Sequence, residues 1–315
     1  MNENNVTRLE KIPILRNFIH LLRNIKSPRL EGFSLYDLLY MYIKGIINGA
    51  FTYHASAVAF SFFMALFPFA LFILNLIPYI PIEGFESDFL NFVRESVPPN
   101  TYDAIANIIN DILNNSHSGL LSTGFVLSII LMANGINAIL GGFNTTSNII
   151  DKRGFFHQYF IAIVMSIGMS LLLLVTVAMI VILEVFIQRT IFQDVLSDKI
   201  PLLIIGRYVF VIVMILISTS ILIRYGTVQS HKPPLISIGS IFTTVLIIVS
   251  SYFFGIWVIK FSKYNELYGS IGTLLVMMFY IWINCMILLL GYQLNTTIHK
   301  IKLKYHIKKY LLIDL

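Results

Sequence analysis

Cysteine is almost missing from this chain: one thiol, Cys285, in 315 residues. That excludes an intramolecular disulfide and any metal cage built on thiolates. Charge is nearly as scarce. Asp, Glu, Lys and Arg make up 12% of the sequence, against about a quarter in soluble domains. From Ile46 to Ile77 none of the four occurs. Residues 1–45 hold no clean apolar stretch ending in a small-residue cleavage site, so no cleaved signal peptide is expected. The seven histidines, His20, His54, His117, His157, His231, His299 and His306, never fall at ligand-like spacing, and there is no HxHxDH or HExxH pattern. A metal-dependent hydrolase needs clustered His and Asp to hold cations and activate water. The chain is therefore expected not to be an enzyme, and it calls for no metal and no cofactor.

What is abundant is apolar. Hydrophobic residues make up 57% of the chain, with 25 Phe and 16 Tyr, and the mean hydropathy is +0.80. These values describe a polytopic membrane protein. The first apolar run extends from about Gly45 to Ile80 and contains HASAVAFSFFMALFPFALFILNLIPYIP. Five more follow at roughly Leu120 to Ile139, Phe160 to Ile187, Leu202 to Ile223, Leu235 to Ile259, and Ile271 to Thr297. Each reaches the roughly 20 residues that a bilayer core requires. The expected fold is all-α, with six transmembrane helices in residues 45–298.

The flanks have their own character. Residues 1–44 form a cytoplasmic arm in which Leu15, Phe18, Ile19, Leu22 and Ile25 recur at helical spacing opposite Lys11, Arg16, His20, Arg23 and Lys26. Such a basic amphipathic helix lies on a membrane surface or packs against the protein's own cytoplasmic face. Ser34 followed by Asp37 predicts a helix start, with Asp in the place of the usual Glu or Gln of a capping box. Residues 82–118, acidic and broken at Pro98-Pro99-Asn100, read as an external hairpin of two amphipathic helices. The tail, residues 299–315, alternates Lys with Ile, Leu and Tyr, as a segment binding anionic lipid headgroups would.

If odd-numbered spans run outward, sixteen of the 22 Lys and Arg fall on the inner side. The positive-inside rule then places both termini in the cytoplasm. The net charge of +6 is thus chiefly a topology signal. The expected partners are membrane lipids, with anionic headgroups at the arm and tail, and no nucleic acid. A homo-oligomer is left open.

Polar residues inside a span are costly and ask for a reason. His54 can change charge near neutral pH, and so could gate protons or meet an anionic substrate; a neutral, hydrogen-bonded histidine is the plainer reading. Pro68 removes a backbone donor from the first span, and interrupted helices line many transport sites, although proline kinks also serve packing alone. Asn134 and Asn137 in the second span, and Asn284, Gln293 and Asn295 in the sixth, form polar faces. Amides of this kind act as interhelical glue worth about 0.6 kcal/mol on average. The sharper alternative is that they converge on a water-filled cavity. Together these seven residues make a candidate substrate path. Glu184, the one acid inside a span, lies near its outer end beside Gln188 and Arg189.

Four stretches also resemble a known family. They are HASAVAFSFFMALFPFALFIL, NAILGGFNTTSNIIDKRGFF, RYGTVQSHKPPLISIGSIFTTVLIIVSSYFFGIWV and SKYNELYGSIGTLLVMMFYIWINCMILLLGYQLNTTI. In order, and over about residues 40 to 298, they are similar to the YihY/BrkB family of bacterial inner-membrane proteins. The resemblance implies a multi-pass protein of the bacterial inner membrane. Two departures stand out: His54 replaces the family's Arg in the first span, and Gln293 replaces its Glu before Leu-Asn. The family was formerly labelled ribonuclease BN, an activity that the dispersed histidines disfavour. The leading expectation is a transporter or flippase-like protein for a lipid or a small amphipathic or anionic solute. The alternative is a non-transporting membrane scaffold contributing to envelope integrity or virulence.

Overall fold

The computed structural model describes residues 34–48, 51–76, 118–147, 154–188, 200–226, 233–260 and 270–311, together with Ser87, Leu90, Asn91 and Arg94. The N-terminal arm before Ser34 and, apart from those four positions and Ser118, the acidic hairpin lie outside them. Seven helices account for the long stretches: α1 Leu35–Asn48, α2 Phe51–Leu76, α3 Ser118–Ser147, α4 Phe155–Gln188, α5 Ile200–Gly226, α6 Ile238–Lys260 and α7 Ser270–Leu311.

Local chemistry sets two of the helix starts. At α1 the Ser34 N–H donates to Asp37 Oδ2 at 3.0 Å, and the Asp37 N–H donates to Ser34 Oγ at 3.2 Å. This is the reciprocal box expected from the sequence, with the shorter acid in place. At α6 two serines play both parts. The Ser237 N–H donates to Ser240 Oγ at 2.9 Å and the Ser240 N–H to Ser237 Oγ at 3.1 Å. Both serines are buried, so these donors would otherwise face a medium with no water to satisfy them.

Ile46, Ile47 and Asn48 close α1 instead of opening the apolar helix α2, which begins at Phe51. Helix α2 then runs unbroken through Pro68 to Leu76, so the proline does not split it. Helix α3 continues eight residues past Ile139 to Ser147, across Gly141 and Gly142. The basic tail is not a separate element as far as Leu311: it prolongs α7, which has 42 residues.

From α2 onward, helices adjacent in sequence are adjacent in space. The order α2, α3, α4, α5, α6, α7 closes into a ring, because α7 packs back against α2. Helix α1 lies against α7 and α3, with the Tyr42 hydroxyl donating to the Leu290 carbonyl at 3.2 Å. Across the ring, α3 touches both α7 and α5. At the α3–α7 crossing the rings of Phe143 and Tyr292 stack at 4.1 Å with 9° between planes. At the α3–α5 crossing, a Cβ on Gly226 would come within 2.9 Å of Leu140 and Phe143. The buried core therefore gathers at one end of the ring, around Leu140, Phe143, Ile223, Leu289 and Tyr292.

The tightest contact joins α6 to α7. A Cβ on Gly239 would strike the Gly291 carbonyl and come within 2.6 Å of Asn295 Cγ. One on Gly291 would strike Thr243 Oγ1 and lie 2.9 Å from the Gly239 carbonyl. Two glycines thus let the backbones touch. Such small-residue contacts drive helix association in lipid, where burial of apolar surface gives no advantage over lipid tails.

The outward faces fit that solvent. Phe155, Phe156, Phe160, Tyr252 and Phe253 are all exposed, a density of apolar surface that water does not tolerate. Among the described residues, four segments are long and apolar enough to cross a membrane: Phe155–Ile180, Ile205–Gly226, Ile238–Val258 and Leu274–Leu303. Phe51–Leu66 and Ile129–Asn144 are shorter apolar segments within α2 and α3. Between 11% and 28% of the four longer windows is buried inside the protein, so most of their surface is left for lipid.

The glycine contact makes a direct prediction. Gly291→Ala should destabilise the protein by about 1–3 kcal/mol, the usual cost of overpacking. Gly255→Ala, where nothing lies within 4 Å of the added carbon, should leave stability unchanged or slightly raised. Thermal unfolding of both purified variants in detergent checks the contrast.

Candidate functional site

The ring encloses a cavity of about 570 Å³, lined by residues from all six of its helices. On α3, α5 and α7 the lining ends at Ile139, Leu222 and Leu288. The next residues, Leu140, Ile223 and Leu289, belong to the packed end of the ring. The cavity is thus stopped on that side by the Phe143–Tyr292 stack and its neighbours. It is partly open elsewhere.

Among the described residues, no Asp, Glu, Lys, Arg or His lines it. The hydroxyls that do line it are turned onto their own helices. Ser166 donates to the Ala162 carbonyl at 2.7 Å, Ser170 to Ser166 at 2.6 Å, Thr176 to Leu172 at 2.7 Å, and Ser218 to Met214 at 2.8 Å. Each bond reaches back four residues, the pattern by which Ser and Thr hide their polarity in a helix. Ser251 and Tyr280 share a 2.7 Å hydrogen bond between α6 and α7, and Thr219 and Thr244 one of 3.2 Å between α5 and α6. What remains to a ligand is a largely apolar wall of Leu, Ile, Met and Phe side chains, with Cys285 as its thiol and the amide of Asn284.

Of the six residues proposed from sequence whose side chains are described, Asn284 alone lies on this wall. Its amide donates to its own helix, at the Tyr280 carbonyl, 2.8 Å away. Asn137 accepts from Gln158 Nε2 at 2.7 Å, and Asn134 accepts from the Tyr159 hydroxyl at 3.1 Å. Both tie α3 to the first turns of α4. Asn295 is the most fully used. Its Oδ1 accepts the Gly239 N–H at 2.8 Å, an otherwise orphaned donor of the first turn of α6, and its Nδ2 donates to Ser237 Oγ at 2.7 Å. Three of the amides therefore hold helices together, as glue does.

The remaining three are differently placed. His54 is half-buried on α2, edge-on to Tyr53 with centroids 5.6 Å apart. Gln293 is 3% exposed, and its Oε1 has no hydrogen-bond partner among the described residues. The His54 imidazole consequently does not donate to it. Pro68 lies within α2, and its side chain is outside the described residues. Of the six described side chains, only that of Asn284 reaches the chamber.

Sequence reading passed over Gly239, Gly291 and Thr243 at the closest helix contact, and the serines and threonines of the cavity wall. A signal existed for the first group. Gly291 and Asn295 are four residues apart, hence on one face of α7, and both sit inside the GYQLN stretch that carries the family resemblance.

These features define a class: a helical membrane protein whose long apolar helices ring an apolar chamber. More particularly, the chain belongs to the virulence factor BrkB family, whose model matches residues 44–309. It is similar to the ribonuclease-like protein YfkH of Bacillus subtilis (strain 168), 28% identical over 253 residues that cover 79% of this chain and 90% of that protein. It is also similar to a UPF0761 membrane protein of Coxiella burnetii (strain Dugway 5J108-111), 24% identical over 271 residues that cover 84% and 94% of the two chains. No solved structure matches it.

Asn295→Ala should lower stability by about 1–2 kcal/mol, the upper range for interhelical amides, because it removes two bonds at a buried helix start. Asn134→Ala, at an exposed position with one such bond, should cost about 0.6 kcal/mol or less. Thermal unfolding in the same detergent orders the two.

Proposed function

We propose that this protein is a multi-pass transporter or flippase-like protein of the bacterial inner membrane, moving a lipid or a small amphipathic or anionic solute. The observation that carries the reading is the chamber within the helical ring, packed shut at one end and partly open elsewhere. That is the form of a site reached from one direction at a time. In this reading α2 to α7 are six spans, and both termini are cytoplasmic, following the excess of Lys and Arg on that side. The packed end of the ring then faces the cytoplasm. The basic arm and tail meet anionic headgroups there.

The name of the Bacillus relative is not carried over to this chain. Its histidines are dispersed in sequence, and a hydrolase would need several acidic and imidazole ligands around one water. We read the chain as a protein that moves a substrate without changing it covalently.

Topology comes first among the tests. Reporter fusions after Arg153, Lys232 and Ile313 should read cytoplasmic, and fusions after Asn115, Asp198 and Lys263 external. A cytoplasmic signal at Asn115 would sink the six-span arrangement.

Transport itself is tested with purified protein in liposomes carrying labelled lipids and solutes. His54→Leu, Gln293→Leu and Pro68→Ala should each reduce movement of the substrate while membrane levels stay near normal. Gln293→Leu is the sharpest of the three. It removes a buried polar atom that has no partner, a change close to neutral or stabilising for the fold, so lost transport would point to function. Full activity in all three inserted variants would end the path assigned to these residues. No movement of any label would favour the scaffold.

A further inference from the structure

We propose that the cavity within the ring holds one hydrocarbon chain of a membrane lipid, whose polar end stays outside the ring. The inference deepens the transport reading by naming what the site takes. It rests on that reading for its functional meaning, but not for the binding itself.

Four observations point to this occupant. First, among the described residues no charged side chain and no histidine lines the wall. An ion held there would lose its hydration with nothing in return, which low-dielectric surroundings make prohibitive. The small anionic solute of the broader reading is therefore a poor fit to this chamber. Second, the wall hydroxyls of Ser166, Ser170, Thr176 and Ser218 are committed to carbonyls of their own helices. They offer little to a sugar or a peptide, and equally little to water. An apolar chamber does not fill stably with water, whereas apolar guests enter it readily.

Third, the chamber extends well along the helices. Its lining runs from Val211 to Leu222 on α5 and from Ser166 to Thr176 on α4. At 1.5 Å per residue these stretches are about 16 Å and 15 Å long. That is half of a hydrocarbon core of about 30 Å, the reach of a chain from one leaflet. The volume of about 570 Å³ also lies within the ~300–1,000 Å³ typical of ligand pockets. Fourth, the outer faces of the same helices are apolar and exposed, at Ile167 and Leu171 on α4 and at Ile212 and Val213 on α5. A lipid chain approaching the ring between these helices would meet apolar side chains on their described outer faces.

The test uses the full-length protein in vesicles of phosphatidylethanolamine and phosphatidylglycerol. These are doped with a phospholipid bearing a photoactivatable diazirine near the end of one acyl chain. After illumination, crosslinked sites are mapped by mass spectrometry. The wild type should be labelled on the wall, at Cys285, Ser218 or Met169, as well as on the outer residues Tyr252 and Phe253. A diazirine placed in the headgroup should label neither Cys285 nor Ser218. Ser218→Phe, which fills the chamber, should cut wall labelling roughly tenfold, the factor that a 1.4 kcal/mol loss of affinity represents. Ser218→Ala should leave it unchanged. Labelling of Tyr252 and Phe253 in each sample reports that the variant is inserted and folded.

Crosslinks confined to the outer faces would overturn the inference, since the lipid would then be merely annular. Equal wall labelling in Ser218→Phe and wild type would overturn it as well. Should Ser218→Phe fail to insert, Ser170→Phe on the neighbouring helix α4 supplies the same comparison. Wall labelling in a protein that moves no lipid in liposomes would leave the chain site standing and sink only the transport reading.

Discussion

The contact between Gly239 and Gly291 is the constraint from which much of the remaining geometry follows. In a bilayer two helices gain nothing by hiding leucines from lipid tails, so association depends on close packing and on hydrogen bonds. The two glycines supply the packing by letting α6 and α7 touch at the backbone. Asn295, one turn beyond Gly291, supplies the hydrogen bonds, and it spends them on the start of α6. That start is buried and cannot call on water. A cap and a helix crossing are thus one device: the side chain that satisfies the first turn of α6 also fixes where α7 must pass.

From that crossing the two helices run on to a second contact. Tyr280 lies eleven residues before Gly291, about 16 Å along α7, where it meets Ser251 of α6 through a hydroxyl pair. Over the same interval α7 presents Ile281, Cys285 and Leu288 to the chamber. At the packed end the small residues Gly142 and Gly226 admit Leu289, Leu140 and Phe143, and the aromatic stack closes the centre. Farther along, methionines and aliphatic residues line the inside of the ring. The cavity is the complement of the tight end, and its position follows from where the small residues are concentrated.

Much of this fold could be read from the sequence and rather less of the site. Apolar length revealed the long helices, and Ser34 with Asp37 revealed the α1 cap, because both signals are local. The division between α1 and α2 was hidden. Nothing charged separates Asn48 from Phe51, and apolarity alone cannot distinguish the end of one helix from the start of the next. The chamber was hidden for a different reason. Sequence reasoning looks for polar residues as the mark of a site, and it therefore chose Asn134, Asn137 and Asn295, which hold helices together. The wall consists of Leu, Ile, Met and back-bonded Ser, residues that look the same whether they face a lipid or a neighbouring helix. Only the ring closure between α7 and α2 decides which of them face inward.

This division of labour bears on how a lipid would cross. The hydrocarbon part of a lipid never needs to leave the membrane interior, whereas its headgroup must travel from one surface to the other. A chamber built for the chain can be closed at one end by Phe143 and Tyr292 without blocking that passage, and it has no need of charges in its wall. The groups that could ease a headgroup along belong elsewhere, on surfaces that polar matter can reach. His54, half-buried near the start of α2, and Asn134, exposed beside Tyr159 on α3, meet that requirement better than any residue of the chamber. Their absence from the apolar wall is therefore no argument against a role in transport. In a lipid carrier, the polar path and the chain site would be expected to lie apart.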